Sequence, residues 1–168
     1  INLDMKFSDM VATGIKFFKK SPGTIPENSL EVEKIDSINI AQYQGKPRVI
    51  WFGHSAFLLQ IEQKTILIDP MFGEVPAPHP LLGTKRFSKE LPIEIEKLPK
   101  IDAVLISHDH YDHLDYGTIQ KLKDNVAMFY TPLGVGTHLQ EWGIEKERII
   151  ELDWWEEVKF EELTFVGT

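Results

Sequence analysis

The 168 residues, 42% hydrophobic and 26% charged, suffice for about one folded domain and lie far from the composition of a disordered chain. A formal net charge of −8 gives no basic footprint for a polyanion, which argues against nucleic acid as a partner. The absence of cysteine rules out disulfides and thiolate metal sites, leaving nitrogen and oxygen donors for any metal, and no apolar run approaches the ~20 residues that span a bilayer.

The chain opens on Ile1 rather than methionine, which leaves its true start open. Residues 1–46 read as an N-terminal extension: an amphipathic piece, DMVATGIKFFKK, then the turn-rich SPGTIPENS. It is expected to lean on the domain of residues 47–168. Phe17 and Phe18 beside Lys19 and Lys20 also form a face able to touch an anionic membrane surface. From Pro47 the runs RVIWFG, SAFLLQIE and KTILIDP predict three β-strands joined by turns at Gly53-His54 and Gln63-Lys64. The stretch from Met71 to Pro99 is broken by prolines and reads as a long irregular loop.

IDAVLIS, residues 101–107, is a continuous apolar run of the kind buried on both faces of a sheet. HDHYDH follows it directly. Asp115 then stands as the N-cap of a helix over YGTIQKLKD, with Ile119 and Leu122 on its inner face. Strand VAMFYTP, helix VGTHLQEWG ending at Gly143, strand RIIELD and the hairpin EVKFEELTFVG follow. Strands alternating with helices imply an α/β layered domain.

The chemistry lies in the hexapeptide, where His108, His110, Asp112 and His113 place four donors within six residues. In an extended segment alternate side chains share one side, so His108, His110 and Asp112 converge, and a turn brings His113 to a neighbouring point. One loop can thus serve two adjacent metals. Imidazole and carboxylate suit Zn²⁺ and also Fe and Mn. Two metals held ~3.5–4 Å apart activate water and stabilise charge developing in attack at phosphorus or carbon, so hydrolysis is the default chemistry and redox chemistry at iron its competitor.

HDHYDH after a hydrophobic strand resembles the metal motif of the metallo-β-lactamase superfamily. WFGHSAFLL, ILIDPMF, KRF, LISHDHYDHLDY, YTPLGVGTHLQEWGI and IIELDWWEE resemble the branch that contains N-acyl-phosphatidylethanolamine phospholipase D and its bacterial relatives. The resemblance runs from about Arg48 to Thr168. It implies an α/β (α+β, four-layer) αββα sandwich of which this chain is roughly the N-terminal half, with His108 and His110 on a first metal and Asp112 and His113 on a second. Two Zn²⁺ are the expected cofactors, with Fe or Mn as alternatives, and Asp112 is the expected catalytic ligand. Asp69 matches the aspartate that supports the metal loop from behind, as metal-bound histidines require, or else is a turn former ahead of Pro70. His54, also assigned to that supporting layer, faces the cleft or is a simple turn histidine.

The resemblance further implies a third histidine a few positions after Thr168, an aspartate bridging both metals and a last histidine, so a C-terminal segment from this or another chain is needed to complete the site. The expected activity is phosphodiester cleavage of a lipid or other small-molecule substrate. The alternatives are a sugar-phosphate lactonase and a non-catalytic binding module. A cytoplasmic or membrane-associated setting is expected. Of the remaining candidates, His79 reads as a solvated loop residue or a substrate contact and His138 as helix surface. Trp154 and Trp155 divide between core and surface or line an apolar channel.

Overall fold

The computed structural model describes residues 23–75 and 85–168, together with Val11. Phe17, Phe18, Lys19, Lys20 and His79 lie outside the described residues. Six strands form one sheet in simple chain order: β1 (Arg48–Gly53), β2 (Ala56–Ile61), β3 (Lys64–Ile68), β4 (Ile101–Leu105), β5 (Val126–Pro132) and β6 (Ile149–Leu152). The first three form an antiparallel meander, and β3 to β6 run parallel. A separate hairpin joins β7 (Glu157–Phe160) to β8 (Leu163–Val166). Helices are short: α1 (Ser37–Ala41), α2 (Tyr116–Leu122) and α3 (Gly136–Glu141).

The period of two along each strand sorts its side chains into two cores. On one face Phe52, Leu58, Leu67, Val104 and Phe129 pack with Ile40 of α1, Ile119 and Leu122 of α2 and Leu139 of α3. On the other, Ile66, Ala103 and Tyr130 meet Val158, Phe160, Leu163 and Phe165 of the hairpin. Tyr130 stands edge-on to Phe165, ring centroids 4.8 Å apart, and Phe165 stacks on Phe160 at 5.0 Å. The described chain is thus a helical layer, a sheet and a hairpin layer. Toward the β1 edge that second face is open, with Val49 59% and Trp51 63% exposed.

Several expected boundaries move. The second meander turn is at Glu62–Gln63, both with positive φ (49° and 58°), because a two-residue hairpin turn with the twist of its strands needs two left-handed residues. β4 ends at Leu105, although Ile106 still donates its N–H to the Tyr130 carbonyl. Trp154 and Trp155 do not divide between core and surface: both are more than 70% exposed. Trp155 takes φ 65° and gives its N–H to Gly167, a tight return into the hairpin that leaves neither side chain facing a core.

The extension follows the 85–92 segment. Leu30 and Ile35 donate backbone N–H groups to Phe87 and Pro92, and Lys34 pairs with Glu90. Buried Gln60 donates to the Ile40 carbonyl, which ties α1 to β2. No helix among the described residues is long and apolar enough to cross a membrane.

Asp115 caps α2 as expected, accepting from the Thr118 N–H. The Thr118 hydroxyl in turn accepts from the Phe72 N–H, which anchors the loop after β3 to the helix. At the next helix the Glu151 carboxylate accepts from the N–H groups of Gly134 and Gly136 at 2.8 and 2.9 Å. A methyl on Gly136 would stand 2.8 Å from Glu151 Oε1 and 2.9 Å from Ile149 Cγ2. Gly136→Ala in the full-length protein is therefore expected to cost about 1–3 kcal/mol through overpacking, measured as a lower denaturant midpoint at unchanged slope.

Candidate functional site

Strands β3 and β4 end level with each other, and their carboxyl ends carry candidate residues, the usual place for a site in such a sheet. Register pairs Ile68 with Leu105, so Asp69 and Ser107 leave the sheet side by side. Asp69 takes φ 42° and is 4% exposed. Its N–H goes to the Leu105 carbonyl. Aspartate tolerates this left-handed backbone better than most residues, and the bend turns its carboxylate toward the loop after β4.

That carboxylate is saturated with donors. Oδ1 accepts from the Ser107 N–H at 2.7 Å, and Oδ2 lies 2.7 Å from Ser107 Oγ and 2.8 Å from His113 Nδ1. With Nδ1 held from behind, His113 presents Nε2 outward, 3.7 Å from Asp112 Oδ2. The hexapeptide itself is not extended throughout, contrary to the alternation expected for Asp112. From His110 it is a turn, because the His110 carbonyl accepts from both His113 and Leu114 N–H groups at 2.9 and 2.8 Å. Leu114, 4% exposed, pins that turn into the helical-side core. Asp112 reaches the cluster by chain reversal.

The turn gathers all four donors. Ligand atoms of His108, His110 and Asp112 lie within 4.8 Å of one another, and so do those of His54, Asp112 and His113, so Asp112 belongs to both groups. The His108 ring lies 4.6 Å from that of His110 and 3.9 Å from that of His113. His54 sits on the β1–β2 turn with φ 48°. Its Nε2 lies 2.8 Å from Asp112 Oδ2, while Ser55 Oγ donates to the Asp112 carbonyl at 3.3 Å. The meander turn thereby grips the loop of the four candidate donors. Burial alone would raise the Asp112 carboxyl, but the hydrogen bond with His54, a backbone hydrogen bond and the charges of His113 and His54 outweigh it and lower it below the ordinary aspartate value. An ionised carboxylate among imidazoles is a donor set that fits Zn²⁺, Fe or Mn.

His138 is on the exposed side of α3, its Nε2 3.8 Å from Asp109 Oδ2. A cavity of about 930 Å³ opens beside His54, with Val49, Trp51, Met71, Arg86 and Phe87 among its walls. Arg86 spans the same region and donates to the carbonyls of Phe72 and Gly73 at 2.7 and 2.6 Å.

Residues 64–168 match the family model described as the beta-lactamase superfamily domain. The chain belongs to the metallo-β-lactamase superfamily. Among curated proteins, this superfamily chain is 45% identical over 119 residues to an uncharacterized protein of Mycobacterium tuberculosis, covering 70% of this chain and 32% of that protein. It is 30% identical over 115 residues to N-acyl-phosphatidylethanolamine-hydrolyzing phospholipase D 1 of Caenorhabditis elegans, covering 66% and 32%. A metal-dependent hydrolase of Anaeromyxobacter is 35% identical over 106 residues, covering 62% and 34%. The chain thus spans about a third of the length of these relatives. Among solved structures, the diiron β-hydroxylase CmlA of Streptomyces venezuelae shares the fold at TM-score 0.55 and 23% identity, covering 74% of this chain and 24% of that one.

Two site residues were not singled out by the sequence argument. Ser107 contacts Asp69, His108 and His113, and Ser55 touches Asp112. The available signal was position: Ser107 is the residue between the buried strand and the first histidine. Asp69→Asn replaces one acceptor oxygen by a donor, which leaves either Ser107 or His113 without its partner. In the full-length protein it is expected to keep the fold and weaken metal affinity by about 10- to 100-fold, measured by chelator competition; unchanged affinity would return Asp69 to a turn former.

Proposed function

We propose that the full-length protein is a metal-dependent hydrolase, and that its reaction is phosphodiester cleavage of a phospholipid-like substrate. The observation that carries the reading is the convergence of His108, His110, Asp112 and His113 on one turn, with the Asp69 carboxylate behind it. In this reading His108 and His110 hold one ion and Asp112 and His113 the other, with Asp112 within reach of both. The ions would supply a hydroxide at neutral pH and a counter-charge for developing oxyanions.

What the chain's own residues do follows from their contacts. Asp69 turns the His113 ring so that Nε2 faces the cluster. His54 holds one Asp112 oxygen, which restricts the rotation of that carboxylate. Both restrictions lower the reorganisation required when substrate binds, the main service a protein adds to such centres.

Three considerations support the lipid-like substrate. The C. elegans relative and a yeast protein 33% identical over 108 residues both carry the name N-acyl-phosphatidylethanolamine-hydrolyzing phospholipase D. Two segments that resemble that branch adjoin each other: PLGVG and IIELDWW meet through Glu151 at the carboxyl ends of β5 and β6. The cavity beside His54 has apolar walls at Val49, Trp51 and Phe87, which suit the apolar part of an amphipathic molecule.

Full-length protein never exposed to chelator is expected to carry close to two transition-metal ions per chain by elemental analysis, with fewer in His108→Ala or Asp112→Ala, because a methyl group cannot replace a ligand. It is also expected to release the phosphatidic acid from N-acyl-phosphatidylethanolamine and to lose that activity on chelation. Metal-free protein would defeat the hydrolase reading; a metal-loaded protein that opens a sugar-phosphate lactone and spares the phospholipid would replace the substrate assignment alone.

A further inference from the structure

Ser107 bridges the two halves of the histidine cluster. Its Oγ lies 2.7 Å from Asp69 Oδ2, 2.8 Å from His108 Nδ1 and 3.2 Å from His113 Nδ1. Its backbone N–H, bonded to Asp69 Oδ1 at 2.7 Å, holds the residue in place. His108 belongs to one group of convergent donors and His113 to the other. One hydroxyl therefore touches a member of each.

A hydroxyl has one proton to give and two lone pairs to receive. An ionised carboxylate only accepts, so the Ser107 proton is directed to Asp69. Ser107 then has to accept from the rings: from His108 Nδ1–H at 2.8 Å, and more weakly from His113, whose nearer acceptor is Asp69 Oδ2 at 2.8 Å. The reverse arrangement, with Ser107 donating to His108, would set its lone pairs against a carboxylate oxygen 2.7 Å away. The network therefore places hydrogen on Nδ1 of both rings and leaves both Nε2 lone pairs free. His113 is set by Asp69 directly, and His108 is set by Asp69 through Ser107.

We propose that Ser107 is a positioning residue that extends the hold of Asp69 to both histidines, and thereby presets His108 as well as His113 to offer Nε2 to a metal. The inference rests on the metal-dependent reading above. A cation on Nε2 of His108 would keep its hydrogen on Nδ1 and Ser107 as its acceptor, the arrangement the network already sets. The Ser107 proton stays on Oγ and points to Asp69 Oδ2, which still accepts from His113 Nδ1–H, so Nε2 of His113 is free for the second ion. No proton is gained or lost; only the direction of the hydrogen bonds is selected. Removing the hydroxyl leaves His113 with its partner and His108 without one, so the loss falls on the His108/His110 half.

The test uses full-length protein stripped of metal and titrated with Zn²⁺ by calorimetry against a competing chelator, in wild type, Ser107→Ala and Ser107→Thr. Wild type is expected to take two ions in one unresolved step. Ser107→Ala is expected to split this into two steps, with one ion weakened about 10- to 100-fold, and Ser107→Thr, which keeps the hydroxyl, to restore the single step. Should Ser107→Ala fail to fold, the ¹⁵N–¹H spectrum of the His108 imidazole in metal-free wild type decides: hydrogen on Nδ1 supports the inference and hydrogen on Nε2 overturns it. Two ions bound identically by wild type and Ser107→Ala would overturn this inference alone. A wild type that binds no Zn²⁺ would overturn the metal-dependent reading and this inference with it.

Discussion

The arrangement of the site depends on one buried carboxylate. Asp69 accepts from the Ser107 backbone and side chain and is paired with His113, and it can do so because β3 and β4 run parallel with their ends level. A buried carboxylate without partners would cost several kcal/mol. Here the same three contacts that satisfy it also orient the loop carrying the candidate metal donors, so the stability of the strand ends and the geometry of the site are one constraint. The positive φ of Asp69 is a modest backbone cost met at the point where the carboxylate must turn.

A second layer of anchoring comes from the flanks. The β1–β2 turn holds Asp112 through His54 and Ser55, and α2 holds the loop after β3 through Thr118. Each contact joins segments more than forty residues apart in the chain. Packing behind them is conventional, helices on one face and a hairpin on the other, and it leaves the carboxyl ends of the parallel strands free to carry polar loops.

Much of this was legible in the sequence because it is locally encoded. The apolar run before HDHYDH reads as a doubly buried strand, Asp115 reads as a cap, and EVKFEELTFVG reads as a hairpin; each rests on side-chain period or turn chemistry within a dozen residues. Convergence of the histidines was likewise visible from spacing alone. The route by which Asp112 joins them was not, since it depends on the His110 carbonyl closing a turn and on Leu114 having a core to enter. Ser107 escaped notice for the same reason: a serine is informative only once register sets it beside Asp69. Trp154 and Trp155 misled because burial of large aromatics is a tendency, whereas the tight return after β6 fixes where these two point.

The turn closed by His110 and pinned by Leu114 also bears on when order is created at the centre. Gathering four side chains from an unfolded chain costs conformational entropy of about 1–2 kcal/mol per backbone residue fixed, and in small metal-nucleated domains the ion itself must meet that cost. In this chain the buried Leu114 and the turn closed on the His110 carbonyl offset part of that cost with contacts of the protein itself. The larger the share met by those contacts, the more of any ligand-binding energy is retained as affinity rather than spent on ordering the loop.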